Sequence, residues 1–351
     1  MTGPQAPWWR PDRLARRRAH LEKRGRVIDA TRAFFREQGF VEVETPALQV
    51  SPGLEPHLAA FRTELQAPGG SGVPRYLHTS PEFAMKKLLA GGLEKVFQLA
   101  RVFRNAERSA THHPEFTMLE WYRAKAGYVA LMEDCEGLLA AVAEAAGADS
   151  FVWQGRRCDA AAPAERLTMV EAFKRYCDFD LLATMPEPLN PSLDLLATAA
   201  RPLGIAPHDG DRWDDLFFRI FLERIEPRLG IGRPTILRDY PVSMAALSRP
   251  KASDPRLCER FELYICGLEL ANAFGELTDA AEQRRRFEAD MALKERLYGI
   301  RYPIDEDFMA ALAHGLPPSA GIALGMDRLV MLATGAGHIE DVLWAPVAHS
   351  D

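Results

Sequence analysis

The stretch VFQLARVFRNAERSATHHPEFTMLEWY, which runs from Val96 to Tyr122, decides how the chain can fold. Apolar and polar residues alternate up to Arg104, a polar loop covers residues 105–114, and the alternation then resumes. A period of two is the pattern of a half-buried strand, so we predict an antiparallel hairpin with a long loop. The pleat places Arg104 at the end of one face of the first strand, and it places Glu120 and Tyr122 on one face of the second.

The charged residues of this hairpin allow two interpretations. An arginine at a strand end, beside a loop that contains His112 and His113, suits a planar, bidentate grip on a phosphate or carboxylate. A half-buried hairpin with a solvated loop would show the same residues. Neighbouring histidines on an extended chain point apart, so we predict no metal site at this pair.

The composition is that of a globular protein with a large core, because 47% of the 351 residues are hydrophobic and 26% are charged. The formal net charge of −6 argues against a broad surface that coats nucleic acid. No apolar run approaches the roughly 20 residues that span a bilayer, so we predict a cytoplasmic protein without a membrane segment. The five cysteines form no CxxC pair, which predicts neither a zinc site nor a disulfide framework.

The N-terminal part divides into a basic extension and the start of one large domain. We interpret the arginine-rich residues 1–26 as a solvated or partner-facing helix. From Val27 apolar residues recur at helical spacing, and Gly39 stands where a left-handed cap would end the helix. A short strand is then predicted up to Pro46. The large domain covers residues 27–351 and carries a surface insertion with short helices around residues 185–215.

The segment YLHTSPEFAMKK predicts a strand followed by a helix. Pro81 suits the first helical turn, and Ser80 can cap the helix. Glu82, at the mouth of the sheet, could also hold a ligand ammonium group. The capping and ligand-binding roles are compatible.

The segment RFELYICGLELANAFGEL contains Glu269 and Glu276 in an apolar context. Buried carboxylates need partners, and a divalent metal or an ammonium group would satisfy them. Strict alternation puts the two glutamates on opposite faces, so joint action requires a bulge or turn near residues 273–275.

The segment AGIALGMDRLVMLAT predicts a strand of small residues, a glycine at position 325 and a helix whose first turn holds Arg328. Small residues admit the close approach of a ligand, and a helix start offers free N–H groups to an anion. A tightly packed strand and helix is the alternative.

Together these segments resemble motifs 1, 2 and 3 of the class II aminoacyl-tRNA synthetases. The matching features are the helix and strand that end at Pro46, the hairpin with Arg104, and the GxAxGxDR pattern that ends at Arg328. The sequences FVEVETP, THHPEFTMLEWY, GLELANAFGEL and ALGMDRLVML are similar to the lysyl-tRNA synthetase branch. The resemblance implies an α+β fold with an antiparallel sheet flanked by helices. It also implies a homodimer whose interface uses residues 27–46.

Lysyl-tRNA synthetases of this class carry an N-terminal OB-fold that reads the anticodon, and we expect no such module here because the class II core begins almost at once. The chain therefore looks more like the elongation factor P lysine ligases. That resemblance implies activation of (R)-β-lysine with ATP and Mg²⁺, and transfer to a lysine side chain of elongation factor P, with tRNA not expected as a partner. Ala323 stands where lysyl-tRNA synthetases have glycine, which favours a β-amino acid. A lysyl-tRNA synthetase without its anticodon domain, and a catalytically silent regulatory paralogue, are the alternatives.

The resemblance also implies roles for individual residues, with Arg104 on the α-phosphate and Arg328 on the γ-phosphate as the catalytic pair. Phe116 would stack on adenine, and Glu269 would bind magnesium. The residues implied for nucleotide binding are Arg104, Asn105, His112, His113, Phe116, Glu269, Leu270, Gly325 and Arg328. Those implied for the amino acid are Ser80, Glu82, Tyr122, Asn272, Glu276 and Ala323. The family usually has a glutamate where this chain has Ala106, and Glu107 stands one place further on.

Overall fold

The computed structural model describes residues 7–245 and 247–348, so the first six residues of the predicted basic extension lie outside the described residues. Its α-helices are α1 (Pro11–Glu37), α2 (Glu82–Ala90), α3 (Tyr128–Ala146), α4 (Met169–Cys177), α5 (Leu193–Ala200), α6 (Trp213–Ile220), α7 (Ala280–Tyr298), α8 (Glu306–Gly315) and α9 (Met326–Thr334). Its strands are β1 (Val41–Glu42), β2 (Leu48–Gln49), β3 (Arg62–Gln66), β4 (Gly72–Leu77), β5 (Lys95–Phe103), β6 (Glu115–Ala124), β7 (Ser150–Trp153), β8 (Arg156–Asp159), β9 (Glu165–Thr168), β10 (Thr235–Pro241), β11 (Leu257–Ile265), β12 (Leu268–Gly275) and β13 (Ser319–Gly325). Short 3₁₀ turns lie at Leu181–Thr184, Arg201–Leu203, Glu226–Arg228, Val242–Met244 and Ile339–Val342, and Phe221–Ile225 is π-helical. No helix in the described ranges is both long enough and apolar enough to cross a bilayer.

A mixed, largely antiparallel sheet forms the centre of the fold. In the described part of the chain it has eight strands, in the order β1-β5-β6-β13-β12-β11-β10-β9. The outermost pairs, β1 with β5 and β9 with β10, are parallel, and the inner pairs are antiparallel. The predicted fold class, an antiparallel sheet flanked by helices, is confirmed.

The hairpin that decides the fold is formed by β5 and β6, which pair from Lys95 opposite Arg123 to Phe103 opposite Glu115. Beyond the strands, the backbone N–H of Arg104 donates to the carbonyl of Pro114 over 2.9 Å and closes the base of the loop. The predicted hairpin and its long loop are therefore confirmed.

One face of the sheet is covered by α1, α3 and α9, which enclose the main hydrophobic core. Phe35 of α1 stacks on Phe97 at 4.9 Å between ring centroids and contacts Trp121 at 5.1 Å. All three side chains are fully buried, and each such burial contributes about 1.5–3 kcal/mol to folding. The opposite face is thereby left to the cavity described below.

The basic extension is part of a continuous helix, because α1 runs without interruption through residue 26. Two of its arginines point inwards. Arg17 donates to the carbonyl groups of Leu343 and Trp344, and Arg24 forms a buried ion pair with Asp327. The interpretation of a wholly solvated or partner-facing helix is wrong for these two residues, because α1 packs against α9 and the C-terminal segment. At the other end, Gly39 has a φ of 78°, as a left-handed cap requires.

The segment predicted as a surface insertion also builds a second hydrophobic core. Met185, Leu196 and Trp213 are buried together with residues of α4, α6 and β10. These side chains are buried because the short helices wrap around one end of the sheet. Leu189 and Leu195 of the same segment remain exposed.

The β11–β12 pair contains a bulge, but not where the sequence predicted it. Leu263 pairs with Ala271 and Tyr264 pairs with Glu269, so Leu270 is the extra residue. The predicted bulge near residues 273–275 is wrong, because that part of β12 pairs regularly with both neighbours. The bulge at Leu270 reverses the alternation, and it places Glu269 on the same face as Asn272.

Candidate active site

A cavity of about 800 Å³ lies on the face of the sheet opposite the main core. Its lining includes most of the residues that the sequence assigned to a site: Ser80, Glu82, Arg104, His112, His113, Phe116, Glu269, Leu270, Asn272, Ala323, Gly325 and Arg328. The structure thus brings together residues from the hairpin, from β12 and from the β13–α9 junction, which are far apart in the sequence.

The register of the sheet explains this convergence. Glu120 is directly opposite Ala323, Ala323 is opposite Asn272, and Asn272 is opposite Glu262. Directly paired residues on neighbouring antiparallel strands point to the same face. A single row across four strands therefore carries polar side chains to the cavity side of the sheet.

Three of the assigned residues do not line the cavity. Asn105 has a structural role, because its backbone N–H donates to Ala59 over 2.8 Å and its side-chain oxygen accepts from Ala106. Tyr122 and Glu276 are buried next to the cavity, where they belong to the carboxylate cluster described below.

Two arginines converge on one end of the cavity. The guanidinium of Arg104 lies 5.3 Å from the ring centroid of Phe116, and its Nε is buried without a hydrogen-bond partner among the described residues. Arg328 donates from Nε to Thr111 O over 3.1 Å and from a terminal nitrogen to Glu269 O over 2.7 Å. Burial lowers the pKa of Arg328, and Arg104 lowers it further. Two cations so close together, one with an orphaned donor, suit a polyanion.

The two histidines of the hairpin loop have different surroundings. His112 Nε2 lies 2.6 Å from the guanidinium of Arg328, and burial, Arg328 and Arg104 lower the pKa of His112 to about 4. Its ring is thus neutral near pH 7 and accepts a hydrogen bond from Arg328. His113 donates from Nδ1 to Glu115 O over 2.6 Å and accepts from the backbone of Val347, which fixes the loop to the C-terminal segment.

The carboxylate of Glu269 interacts electrostatically with both arginines. Burial raises its pKa, and the neighbouring Glu262 adds to the rise. Glu262 itself accepts hydrogen bonds from Tyr240 and Arg260, both over 2.6 Å. The pair Glu262 and Glu269 is therefore a place where a dication would relieve unfavourable charge. The described residues contain no group of three or more metal-binding side chains, so Mg²⁺ here would take most of its ligands from phosphate and water, as it commonly does.

A cluster of carboxylates forms the second end of the site. Lys86 forms ion pairs with Glu82 and, over 2.5 Å, with Glu276. Glu120 accepts hydrogen bonds from Ser80 over 2.5 Å and from Tyr122 over 2.8 Å. Within the described residues, three buried carboxylates thus face one buried ammonium group.

Burial, together with this excess of negative charge, raises the pKa values of two carboxylates in the cluster. Burial raises the pKa of Glu120 to about 8, and Glu82 adds to the rise. Burial also raises the pKa of Glu276, against the opposing effect of Lys86. A ligand that carries ammonium groups would favour the ionised carboxylates. Ser80 also accepts from the N–H of Glu82 over 3.0 Å, but α2 begins at Glu82 with Pro81 in the cap position, so the predicted N-cap role of Ser80 is wrong by one residue.

Sequence reasoning missed several residues of this cluster. Glu120 and Lys86 were not assigned, although Glu120 shares a strand face with Tyr122 in the alternating pattern. Gly321 is the other omission. A Cβ at that position would lie 2.1 Å from Tyr122 Cε1 and 2.4 Å from Glu276 Oε1, so only glycine leaves room for both side chains. No signal in one sequence distinguishes this glycine from any other in a strand.

Asn272 is held in place by Arg260, which donates to its side-chain oxygen over 3.2 Å and also to Met244 O over 2.8 Å. Arg260 lies 4.5 Å from the ring centroid of Tyr240. Sequence reasoning did not single out this arginine, because its role depends on pairing between β11 and β12.

The hairpin loop also places Glu107 in the lining of the cavity. Ala106 adopts a φ of 63°, a left-handed conformation that is unusual for alanine. The chain therefore has a carboxylate at the loop although it lacks the one that the family usually has at position 106.

Comparisons with known proteins identify the family to which the chain is similar. Residues 9–348 match the family described as tRNA synthetases class II (D, K and N). The chain is similar to proteins named elongation factor P--(R)-beta-lysine ligase. The one from Proteus mirabilis is 40% identical over 330 residues, which cover 94% of this chain and 95% of the relative. The protein of that name from Pectobacterium carotovorum is 41% identical, over 95% of this chain and 96% of the relative. The one from Salmonella heidelberg is 42% identical, over 92% of this chain and 94% of the relative.

Proposed function

The chain belongs to the class II tRNA synthetases of the D, K and N group, and on that premise we propose that it is an ATP-dependent ligase. The reaction is the activation of (R)-β-lysine as an aminoacyl-adenylate and its transfer to a lysine side chain of elongation factor P. The names of relatives that are about 40% identical over nearly the whole chain support this assignment.

One observation in the structure carries the proposal, namely the separation of charge along one cavity. Arg104 and Arg328 line one part of the cavity, and Glu82 lines another, where Glu120, Glu276 and their ammonium partner Lys86 are buried next to it. ATP supplies a polyanion for the first end. A diamino acid supplies two ammonium groups for the second end, where carboxylates are in excess.

The activation step follows from this geometry. Arg104 would bind the α-phosphate with its unpaired Nε and stabilise the charge that develops as the substrate carboxylate attacks phosphorus. Arg328 would hold the far end of the triphosphate, and Phe116 would stack on the adenine. Glu269 would hold Mg²⁺, which neutralises charge on the phosphates. Catalysis then depends on positioning and electrostatics, without an enzyme nucleophile.

The remaining assigned residues would recognise the amino acid. Glu82, Glu276 and Tyr122 would bind its ammonium groups, with Ser80 and Asn272 beside them. Ala323 lies at the centre of the row between Glu120 and Asn272, so its methyl group limits the room above the sheet. A single methyl group changes substrate preference by about 1–3 kcal/mol, which favours β-lysine over α-lysine without excluding the latter.

The proposal also covers the oligomeric state, the location and the partners of the chain. We expect a homodimer in the cytoplasm, with the interface formed by residues 27–46, as the resemblance to motif 1 implies. Elongation factor P is the protein partner, and tRNA is not a substrate.

The test incubates the purified chain with ATP, Mg²⁺ and each lysine isomer, in the presence of either elongation factor P or tRNA. Intact-mass measurement should show one lysyl addition on elongation factor P, with (R)-β-lysine the better substrate. Labelled tRNA with unlabelled protein would contradict the proposal. Arg104→Ala and Arg328→Ala should each abolish pyrophosphate release while circular dichroism remains unchanged; turnover equal to that of the parent chain would contradict the phosphate assignments.

A further inference from the structure

The lining of the cavity also includes residues to which neither ATP nor the amino acid is assigned, and these residues form two walls. The first wall comes from the segment predicted as an insertion and from α6: Leu189, Arg212, Asp214 and Phe218. The second wall is one face of α7: Arg285, Ala289, Ala292, Leu293 and Arg296. We call these two walls the acceptor mouth.

The first wall exposes apolar side chains at the opening of the site. Leu189 is 56% exposed and Phe218 is 44% exposed. Single exposed apolar residues are common on any protein. These two, however, lie in the lining of the same cavity as the candidate site, so a molecule that enters the cavity from outside would contact them.

The second wall offers a shallow surface with a cation at its end. Positions 285, 289, 292, 293 and 296 recur at helical spacing and share one face of α7. The alanines in the middle leave room for a passing chain. Arg296 is exposed and has no ion-pair partner in residues 7–245 and 247–348.

The charges at the mouth fit a protein better than a nucleic acid. Arg212 forms an ion pair with Asp214, and Arg285 forms one with Glu282. Binding of nucleic acid depends on several cations that are free to contact phosphates. The exposed apolar side chains of the mouth suit an apolar residue of a protein loop. Among the described residues Arg296 has no ion-pair partner, so it suits a carboxylate of the same loop.

We propose that the acceptor mouth docks the lysine-bearing loop of the acceptor protein and directs that lysine to the adenylate. The inference rests on the proposed function, because that reaction requires a protein amine to enter the cavity. The neutral amine attacks the carbonyl carbon of the adenylate, the new C–N bond forms, and the bond from that carbon to the phosphate oxygen breaks. AMP leaves with the bonding electrons, and the amine nitrogen releases its extra proton to water.

The experiment separates the two half-reactions in the double variant L189A/F218A. ATP–pyrophosphate exchange with (R)-β-lysine reports adenylate formation, and mass-detected transfer at varied elongation factor P reports docking. We expect unchanged exchange and a rise of about tenfold in KM for elongation factor P, since truncation of apolar anchors commonly weakens an interface by that amount.

The matched control is Leu195→Ala, which removes a side chain of the same type from the same segment. Leu195 is 45% exposed and lies outside the cavity lining. Both half-reactions should be unchanged in this control. An unchanged KM for elongation factor P in L189A/F218A would overturn the inference, and so would an equal loss of both half-reactions. Absence of exchange in the parent chain would instead contradict the proposed function.

Arg296 provides a second, independent readout. Arg296→Glu should raise KM for elongation factor P, and the rise should shrink as salt is increased, because an exposed charge acts through a screened field. The control is Arg284→Glu on the same helix, since Arg284 lies outside the cavity lining and pairs with Glu306. Equal effects of the two reversals would show that only the net charge matters, and this result would overturn the docking role of Arg296.

Discussion

Ala106 shows how one backbone conformation changes the residues that reach a site. A left-handed φ costs a non-glycine residue about 1–2 kcal/mol, and here the side-chain oxygen of Asn105 accepts from the N–H of Ala106 over 2.9 Å and supports the turn. The next residue, Glu107, lines the cavity. The left-handed turn at Ala106 is thus followed by a carboxylate in the cavity lining, in a loop that lacks the family's usual glutamate.

A substitution at Glu107 tests whether its carboxylate contacts the nucleotide. Glu107→Ala should raise KM for ATP by about tenfold and leave KM for (R)-β-lysine unchanged, because a hydrogen bond to a charged group contributes about 1.5–3 kcal/mol. Steady-state pyrophosphate release measures both constants. Glu115→Ala, which changes a glutamate outside the cavity lining, is the control. If both variants behave like the parent chain, Glu107 does not contact the nucleotide.

Glu120 predicts how stability depends on pH. Its pKa rises from 4.5 to about 8, chiefly through burial, so between these values the folded chain holds more protons than the unfolded chain. The free energy of unfolding of the ligand-free protein should therefore fall as pH increases across this range. Glu120→Gln should reduce that fall, as measured by urea denaturation at several pH values.

The matched control is Glu94→Gln, since Glu94 is exposed and Lys125 lowers its pKa. This change should leave the slope between pH 5 and 8 as it is in the parent chain. Equal slopes for the parent and Glu120→Gln would mean that Glu120 titrates normally in the fold.

At the scale of elements, the buried ion pair between Arg24 and Asp327 connects α1 to α9. Arg24 also donates to Thr117 Oγ1 over 3.0 Å, and Asp327 accepts from the N–H of Thr117 over 2.7 Å. One carboxylate thereby joins two helices and β6, directly before Arg328. The N-terminal helix is thus linked to the end of the cavity that holds the arginines.

Loss of one partner of this pair should be costly. Arg24→Met leaves a buried, unpaired Asp327, and we expect the free energy of unfolding to fall by about 3–5 kcal/mol in urea denaturation. The double variant R24M/D327N should recover part of the loss, because the amide still accepts from Thr117 and no lone charge is buried. Arg18→Met, which breaks an exposed ion pair with Glu22, is the control and should leave stability unchanged. A double variant less stable than Arg24→Met would contradict the account.

The sequence predicted those elements whose pattern is local. The hairpin of β5 and β6 follows from strict alternation on either side of a polar loop, and Gly39 has the left-handed conformation predicted for the end of the first helix. The bulge at Leu270 was misplaced because a bulge depends on which partner residue each strand position meets. The inward arginines of α1 were missed because their partners lie about 300 residues away in the sequence.

The residues of the site could be found only in part, for the same reason. A resemblance to known motifs identified Arg104 and Arg328, whose types are distinctive. It did not identify Glu120, Arg260 or Gly321, because their importance arises from the row in which the strands align them. The roles assigned to individual site residues remain predictions.

At the scale of the whole molecule, the sheet ends in an edge that is open to a partner. The strand β1 lies at the end of the sheet, and Val41 within it is 51% exposed. An exposed edge strand invites pairing with another chain. This edge belongs to the region proposed as the dimer interface.

Val41→Asp should therefore weaken the homodimer, because it introduces a charge into an apolar contact. Sedimentation velocity over a range of protein concentrations measures the change in dimer dissociation. Val129→Asp is the control, since Val129 is similarly exposed, at 46%, but lies on α3. A parent chain that is monomeric at all concentrations would contradict the dimer itself, and equal dissociation in both variants would contradict the proposed interface.

The partners of Arg328 have a consequence for how fast a nucleotide can be captured. Its guanidinium donates to two backbone carbonyls and to a neutral imidazole. None of these acceptors carries a formal charge, so the side chain is rigidly aimed while its positive potential still reaches into the cavity. Within the described residues Arg328 forms no ion pair, so an arriving triphosphate has no salt bridge to break there, and the positive potential of the guanidinium attracts the triphosphate before contact.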